Sequence, residues 1–327
     1  MNSLSFEYTI DREFYENLYR CLVQDTVDNF RIVIHSRPDG DAVGSGYALA
    51  YILNSLGKRA CVVCYDDVPK KFEYITDIGF TEFEHQFIIT VDVADMTLIG
   101  NDVELPILCA IDHHMRNSVN TSEKFVKSEK ASCGEIIFEF ALFCGVKFDS
   151  YLAKCLHTAI STDTGSFKYE AVTENTFLAA AYLARFIPRE EAAKINLTNF
   201  DIKTKKQMQL ECYAVQNIHL HFADTVGICI ITDGIKEKFG ADDEDTGCIS
   251  QIPRQIDTVE SSFSIKQKTD GTCKVSMRTK EYVDAAQFCS NFGGGGHKRA
   301  AGCTIQGTPA EVENKIIEMY RKTIVQR

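Results

Sequence analysis

The chain has 327 residues, 45% of them hydrophobic, and its 46 acidic and 35 basic residues give a formal net charge of −11. The apolar share is large enough for a buried core, and the length predicts two domains. The negative charge argues against a long duplex nucleic acid as partner, because such a partner needs an extended basic face.

The sequence shows neither a membrane segment nor a secretory leader. No apolar run reaches the roughly 18 residues of a membrane span. The N-terminal stretch MNSLSFEYTIDREFYENL lacks the basic start and apolar core of a signal peptide. We therefore expect a cytoplasmic protein with no membrane partner.

The 13 cysteines lie mainly in apolar contexts, where free cysteine behaves as a small buried hydrophobe. Cys61 and Cys64 form a CxxC pair, but RACVVCYDD is typical of a buried strand, and no second pair stands at zinc-site spacing. Reduced structural thiols are the favoured interpretation.

Short apolar strands alternate with helical segments along the first half of the chain. Pro188 then ends the last of these helices. This alternation predicts a parallel sheet that is covered on both faces. The predicted strands are 30–35, 59–65, 87–92 and 105–112, and the predicted helices are 42–58, 135–144, 151–162 and 174–187.

The pattern changes after Pro188. A charged helical stretch, 189–217, resembles a connector, and a second α/β pattern begins at 226–233. The alternation in 261–280 around Asp270-Gly271 predicts a hairpin. We expect an α/β protein with a parallel-sheet domain (1–187), a helical linker (188–220) and a smaller α/β domain (221–327).

A short helix at 283–292 and a terminal helix complete the second domain. Thr308 is the predicted N-cap of the terminal helix, Pro309 its first residue, and Glu311 closes a capping box. The spacing predicts a buried stripe of Val312, Ile316, Met319, Tyr320 and Ile324.

Polar segments follow three of the predicted strands: HSRPDGDAVGS after the first, DVAD after the third and DHH after the fourth. In open α/β sheets, ligands bind outside the carboxyl ends of the strands. HSRPDGDAVGSG has no P-loop lysine and no G-x-G-x-x-G pattern, so a phosphate cradle is disfavoured. His35, Asp39 and Asp41 are metal-ligand types, although a turn stabilised by Asp39 explains them equally well.

Each remaining segment also has a structural explanation. Asp92 closes an apolar strand and either caps the next segment or bridges two metals, whereas Asp95 is more typical of a capping residue. Adjacent histidines point in different directions, so one of His113 and His114 can bind metal while the other faces substrate. Asp163, in ISTDTGSFKY, is either a further ligand or a turn residue before Gly165.

Taken together, these segments resemble the four motifs of the DHH phosphoesterase family. The matching stretches are HSRPDGDAVGS, VDVAD, IDHH and STDTGSF, and SMRTK, VDAAQF and GGGGHKRAAG resemble DHH-associated domain 1. The resemblance spans roughly residues 15 to 325 and is greatest to the oligoribonuclease (nano-RNase) and adenosine 3′,5′-bisphosphate phosphatase group. It implies an active site in the cleft between the two domains.

The resemblance implies two Mn²⁺ ions, and ligand chemistry leaves Mg²⁺, Co²⁺ or Fe²⁺ open. One ion would be bound by His35, Asp39 and Asp92, and the other by Asp41, Asp92, His113 and Asp163. His114 would contact the scissile phosphate and Asp112 would orient a histidine. Arg116 is a candidate substrate contact or a solvated loop arginine.

The second domain is expected to bind substrate. Glycines let backbone amides approach a phosphate or base, although any glycine run can be a flexible linker. His297 and Arg299 would hold the terminal nucleotide, and Arg278 would bind a phosphate. The candidate backbone contacts are Gly294, Gly295 and Gly296.

The family pattern predicts a metal-dependent phosphodiesterase that acts on very short RNA, including dinucleotides, and also on adenosine 3′,5′-bisphosphate. A cyclic di-AMP phosphodiesterase and a non-catalytic nucleotide sensor are the alternatives, and a homodimer is left open. KASCGE (130–135) departs from the relatives, which often have small residues and Thr before the Glu. Ser132 and Glu135 are expected to start a helix, with substrate contact left open.

Overall fold

The computed structural model describes residues 8–24, 28–77, 87–99, 106–247 and 249–325. The chain divides into two compact units, Met1–Ile202 and Lys203–Arg327. Within the described residues, no helix has both the length and the apolar character needed to cross a membrane. The described cysteines are all free thiols.

The first unit is built on a five-stranded parallel sheet with the strand order β2-β1-β3-β4-β5, which confirms the predicted sheet type. The strands are β1 Asn29–Ile34, β2 Arg59–Val63, β3 Phe87–Val91, β4 Ile107–Asp112 and β5 Glu123–Val126. The helices are α1 Arg12–Tyr19, α2 Gly40–Ser55, α3 Glu73–Thr76, α4 Cys133–Phe143, α5 Ser150–Asp163, α6 Glu174–Leu183 and α7 Arg189–Asn196.

Several features of this unit differ from the prediction. Helices α1 and α3 and strand β5 were not predicted, α2 and α4 each begin two residues earlier than predicted, and α6 ends at Leu183 rather than at residue 187. In β5 only Phe125 is buried, so this edge strand carries no apolar run that could identify it. Helix α1 has only eight residues, of which Tyr15 and Leu18 are buried, so its apolar pattern is short.

The residues of β1 alternate between two apolar clusters because successive side chains of a strand point to opposite faces. Ile32 and Ile34 pack into a large cluster with residues of α1, α2, α4 and α5. Val33 belongs to a smaller cluster on the other face, with Ile88 and Ala110. Burial on both faces fixes the register of the sheet, since a one-residue slip would exchange the two sets.

The second unit contains a six-stranded mixed sheet with the order β10-β11-β9-β8-β7-β6, in which β7 and β8 pair parallel and the other neighbours antiparallel. The strands are β6 His219–His221, β7 Val226–Ile231, β8 Ser261–Gln267, β9 Thr272–Thr279, β10 Gly295–His297 and β11 Ala300–Gln306. The helices are α8 Lys205–Gln216, α9 Asp233–Phe239, α10 Ala285–Ser290 and α11 Pro309–Tyr320.

The predicted hairpin and the predicted capping box are both present in this unit. Gly271 turns the β8–β9 hairpin with a φ of 78°, a left-handed conformation that favours glycine. Thr308 and Glu311 form the reciprocal bonds that start α11. Strands β6, β10 and β11 and helix α9 were not predicted.

The two helices within 188–220 pack into different units. In α7, Ile195 joins the large apolar cluster of the first unit. In α8, Leu210 and Ala214 pack with Cys229 and Ile231 of the second unit. The boundary between the units therefore falls inside the segment predicted as a linker, between Ile202 and Lys203.

Candidate metal centre

The candidate ligands gather where β1, β3 and β4 end, and these three strands are neighbours in the sheet. Asp92 directly follows β3, and its backbone N–H donates to the carbonyl of Ile111 in β4 at 3.0 Å. Its φ of 58° is unusual for a residue with a side chain, and such strain concentrates at functional sites. The strand ends therefore bring together segments that are far apart in the sequence.

Helix α2 begins at this edge and fixes the first two aspartates. Asp39 is the N-cap, and its Oδ1 accepts from the backbone N–H groups of Asp41 and Ala42. The buried carboxylate of Asp41 accepts from Ser45 Oγ at 2.9 Å. The capping role considered for Asp39 is therefore real, and it coexists with a place in the cluster.

The N-terminus of α4 provides a second support for Asp41. The backbone N–H groups of Cys133 and Gly134 donate to its two carboxylate oxygens at 2.7 and 2.9 Å. A Cβ on Gly134 would lie 2.4 Å from the Cβ of Ala159 in α5, so only glycine allows α4 to approach this closely. The start of α4, in the stretch KASCGE (130–135), thus holds a candidate ligand in place.

His35 faces two of the carboxylates. Its Nδ1 donates to the carbonyl of Ser36 at 2.9 Å, which leaves Nε2 as the unprotonated nitrogen of a neutral ring. This Nε2 lies 3.8 Å from Asp39 Oδ1 and 3.7 Å from Asp92 Oδ2. The three residues can each offer one ligand atom to a single ion.

His113 faces a second set of carboxylates. Its Nδ1 lies 3.3 Å from the carbonyl oxygen of Lys130, the contact of an N–H donor, so that Nε2 is again the ligand nitrogen. Nε2 lies 3.7 Å from Asp41 Oδ2, 3.6 Å from Asp92 Oδ1 and 3.4 Å from Asp163 Oδ2. Asp41, His113 and Asp163 form a second group that can hold one ion.

Asp92 stands between the two groups, with Oδ2 toward His35 and Oδ1 toward His113. It is 3% exposed, and Oδ1 has no hydrogen-bond partner among the described residues. A buried carboxylate oxygen without a partner is costly unless a cation binds it. The donor set of carboxylate oxygens and imidazole nitrogens suits a divalent metal such as Mn²⁺.

The electrostatics of the cluster lead to the same conclusion. Burial, together with the charges of Asp41 and Asp39, raises the pKa of Asp92 well above its usual range. Burial and the same two charges raise the pKa of Asp163 to about 8. Without cations the carboxylates disfavour one another's charge, so the residues present fit positive ions at this site.

His114 has a different environment from that of His113. Its Nδ1 donates to Asp112 Oδ1 at 2.8 Å, and this hydrogen bond raises the pKa of His114. Asp112 is fully buried and also accepts from Asn117 Nδ2 at 2.8 Å. Burial would raise the pKa of Asp112, but the hydrogen bond and charge of His114 outweigh it and lower the value.

The remaining predicted residues of the first unit lie as follows. Arg116 is exposed in the loop after His114. Asp95 caps the short helical turn Met96–Leu98, as predicted. Ser132 caps α4, and Glu135 is buried, where its carboxylate pairs with the Lys130 ammonium at 3.1 Å. Sequence reasoning missed Lys130 because only its backbone carbonyl contacts a candidate ligand.

In the second unit, several candidate substrate residues share the β9–β11 sheet region. Arg278 of β9 pairs with Ala300 of β11, which pairs in turn with His297 of β10, so the three occupy one cross-strand row. The Arg278 Nη1 donates to the carbonyl of Met277 at 2.9 Å. The Arg299 Nη1 donates to the carbonyl of Val283 at 3.3 Å.

The three candidate glycines differ in the space that a side chain would have at each position. A Cβ on Gly294 would lie 2.2 Å from the carbonyl oxygen of Gly302, and one on Gly296 would lie 2.5 Å from that of Ala300. Close packing of the chain on itself therefore already explains these two glycines. Gly295 faces open space, and its Cα is where a ligand can approach.

A parallel sheet that collects aspartates and histidines at the carboxyl ends of three neighbouring strands is the arrangement of a metal-dependent hydrolase. Comparison with known proteins identifies the family. Residues 29–160 match the family model for the DHH family, N-terminal domain, and residues 226–326 match that for the DHHA1 domain. The chain belongs to the DHH family and is a metal-dependent phosphoesterase, which confirms the resemblance found in the sequence.

Three similar proteins show how far the likeness extends. A probable bifunctional oligoribonuclease and PAP phosphatase NrnA from Streptococcus mutans is 29% identical over 84% of this chain and 89% of its own. The Thermus thermophilus protein named bifunctional oligoribonuclease and PAP phosphatase NrnA is 27% identical over 90% and 89%. The crystal structure of an exopolyphosphatase-related protein from Bacteroides fragilis, 21% identical, matches the fold with a TM-score of 0.83 over 97% and 99% of the two chains.

Proposed function

We propose that this protein hydrolyses very short oligoribonucleotides, including linear dinucleotides, to mononucleotides and also dephosphorylates adenosine 3′,5′-bisphosphate. The names of the relatives from Streptococcus mutans and Thermus thermophilus support both substrates. The observation that carries the proposal is the position of Asp92, whose two oxygens face separate groups of candidate ligands.

Two divalent cations, with Mn²⁺ favoured by the donor set, would be held by this cluster. His35, Asp39 and Asp92 would bind one, and Asp41, Asp92, His113 and Asp163 the other. When bound, such a pair supplies an activated water nucleophile and neutralises the charge that develops on the phosphoryl oxygens. Asp41 would keep its geometry during turnover, because two amides of α4 and Ser45 already fix both of its oxygens.

His114 would act directly on the substrate. Asp112 holds its Nδ1, so Nε2 is the atom that would donate a hydrogen bond to the scissile phosphate or to the leaving oxygen. The hydrogen bond to the Asp112 carboxylate stabilises the protonated ring that this role needs. Asp112 is the positioning residue in this pair, and Arg116 would contact the substrate from the same loop.

The second unit would bind the terminal nucleotide. Arg278 and Arg299 would contact phosphate, and the segment with Gly294, Gly295, Gly296 and His297 would follow the nucleotide backbone. The shared cross-strand row of Arg278 and His297 supports this grouping. The open space above Gly295 supports a close approach of the ligand there.

The test is a Mn²⁺-supported digestion of end-labelled RNA from two to twenty-four nucleotides, with adenosine 3′,5′-bisphosphate and cyclic di-AMP in parallel. We expect the rate to peak at two to five nucleotides and inorganic phosphate to be released from the bisphosphate. Cleavage confined to cyclic di-AMP, or no turnover of any of these with bound Mn²⁺, would contradict the proposal. Light scattering on the same preparation determines whether the active species is a homodimer.

A further inference from the structure

The loop between β9 and α10 is held rigidly by a buried carboxylate. Glu260 is 4% exposed, and its two oxygens accept from the backbone N–H groups of Glu281, Tyr282 and Val283 at 2.9 to 3.1 Å. The backbone N–H of Lys280 donates to the Glu260 carbonyl at 3.0 Å. Four consecutive residues of the loop are therefore fixed by one buried glutamate.

The same loop carries an aromatic side chain that remains in solvent. Tyr282 is 67% exposed, the largest value for any aromatic residue in the described parts of the chain. Its neighbour Val283 is buried and anchors the loop in the core of the second unit. An exposed ring on a backbone that is already ordered can stack on a planar ligand at a small additional entropic cost.

The loop is also tied to the segment that the proposed function assigns to the terminal nucleotide. The Ala285 N–H donates to the Lys298 carbonyl at 2.8 Å, and the Thr279 N–H donates to the Arg299 carbonyl at 3.1 Å. The Arg299 guanidinium donates to the Val283 carbonyl, one residue from Tyr282. The backbone that carries Tyr282 is therefore bonded directly to the segment that carries Lys298 and Arg299.

We infer that Tyr282 is a substrate-binding residue that stacks on the nucleobase of the nucleotide bound by the Lys298–Arg299 segment. This inference rests on the proposed function and goes beyond it by naming the residue that recognises the base. Stacking does not depend on base identity, because every base presents a π face, so Tyr282 would give affinity for any nucleotide. It would favour unstacked bases, such as those at the ends of very short RNA, over paired ones.

The experiment measures steady-state kinetics on 5′-phosphorylated diadenylate and on two analogues in which one base at a time is replaced by hydrogen. The variants are Tyr282→Ala, Tyr282→Leu and Tyr282→Phe, with Val215→Ala as the control for loss of an exposed apolar side chain in the same unit. Loss of the ring should raise KM for diadenylate about 5- to 150-fold with little change in kcat, the range that corresponds to about 1–3 kcal/mol for one stacked base. Phenylalanine should restore most of the affinity.

The analogues separate stacking from a merely structural role. For the analogue that lacks the stacked base, the KM values of wild type and Tyr282→Ala should converge, whereas a damaged loop would raise KM for all three substrates. An unchanged KM in Tyr282→Ala and Tyr282→Leu on diadenylate overturns the inference. If the wild-type protein itself does not cleave diadenylate, the proposed function fails instead, so the two failures are distinguishable.

Discussion

His114 donates from Nδ1 to Oδ1 of Asp112 at 2.8 Å, and that carboxylate has no exposed surface. If Asp112 acts through His114, their substitutions should not be additive. We expect His114→Asn to lower kcat about 10²- to 10⁴-fold and Asp112→Asn about 10- to 100-fold. The double variant should be no slower than His114→Asn alone. Measuring kcat on diadenylate for the wild type, the two single variants and the double variant completes this double-mutant cycle.

Equal and independent losses in the two single variants would show that Asp112 has a separate role. Asn117→Ala is the matched control for the other oxygen of this carboxylate, because Asn117 donates to Oδ2 at 2.8 Å. Its effect on kcat should be smaller than that of Asp112→Asn, because the hydrogen bond to His114 remains.

Asp92→Asn keeps the shape of the side chain and removes the charge that faces both candidate ion positions. We expect loss of bound Mn²⁺, measured by elemental analysis after gel filtration, together with loss of activity. Without the charge, the increase in Tm that Mn²⁺ gives the wild-type protein should also disappear, because that increase measures binding to the folded state.

Asp95→Asn is the control for this substitution, since Asp95 lies three residues further on and caps an exposed turn that asparagine can also cap. It should bind Mn²⁺ like the wild-type protein. A fully metallated and active Asp92→Asn enzyme would refute the bridging position of Asp92.

The candidate ligands could be predicted from sequence because each follows a recognisable strand or ends a helix. Strand β1 is a short apolar run before His35, and β4 is another before His113. The order of the strands brings their ends together, and the alternation of strands and helices already implies a parallel sheet. The alternation of strands and helices was therefore enough to predict that these segments, although distant in the sequence, lie close together.

Gly134→Ala tests the support that α4 gives to Asp41. The added methyl group would lie 2.4 Å from the Cβ of Ala159, so α4 must move away from α5 and its first amides away from Asp41. We expect a loss of about 1–3 kcal/mol in the free energy of unfolding, the usual cost of overpacking, and weaker Mn²⁺ binding. Urea unfolding and Mn²⁺ titration measure the two effects.

Gly234→Ala is the matched control in α9. A Cβ there would meet only Thr232 Oγ1, at 4.0 Å, which leaves ample room. Because alanine is a better helix former than glycine, this substitution should be neutral or stabilising. If Gly134→Ala behaves the same way, the close approach of α4 does not support the site.

The hydrogen bonds that hold the candidate ligands in place could not be predicted. They join backbone atoms to residues that are far away in the sequence. Asp41 and Gly134 are bonded although 93 positions separate them. The carbonyl of Lys130 accepts from His113, and a carbonyl leaves no signature in a sequence. Strand β11 also could not be predicted. Its sequence AAGCTIQ mixes small and polar residues, and packing rather than strand propensity places it in the sheet.

His157 should make the stability of the protein depend on pH. Burial lowers its pKa, while a hydrogen-bonding contact with Asn196 opposes that change. The unfolded chain then binds a proton more readily than the folded one, so stability should fall as the pH drops below about 6.5. His157→Gln should show a shallower loss between pH 6.5 and 5 in urea unfolding, and an unchanged slope would contradict this explanation.

Lys130 joins a buried charged network to the candidate metal centre. Its ammonium pairs with Glu135 at 3.1 Å and contacts Glu139, which also accepts from Tyr15 at 2.7 Å, and both glutamates are 1% exposed. Lys130→Met would leave two buried carboxylates without their cation. We expect the free energy of unfolding to fall by about 3–5 kcal/mol, the typical effect of breaking a buried pair.

The network also predicts a change in Mn²⁺ binding, because the backbone carbonyl of Lys130 accepts from His113. Movement of this residue should loosen the imidazole, so Mn²⁺ affinity should fall in Lys130→Met under conditions where the variant is still folded, and Lys130→Arg should recover part of it. Lys147→Met, at an exposed position, should change the free energy of unfolding by no more than about 0.5 kcal/mol and leave Mn²⁺ affinity unchanged. A destabilised Lys130→Met protein with wild-type Mn²⁺ affinity would show that the network stabilises the fold without positioning His113.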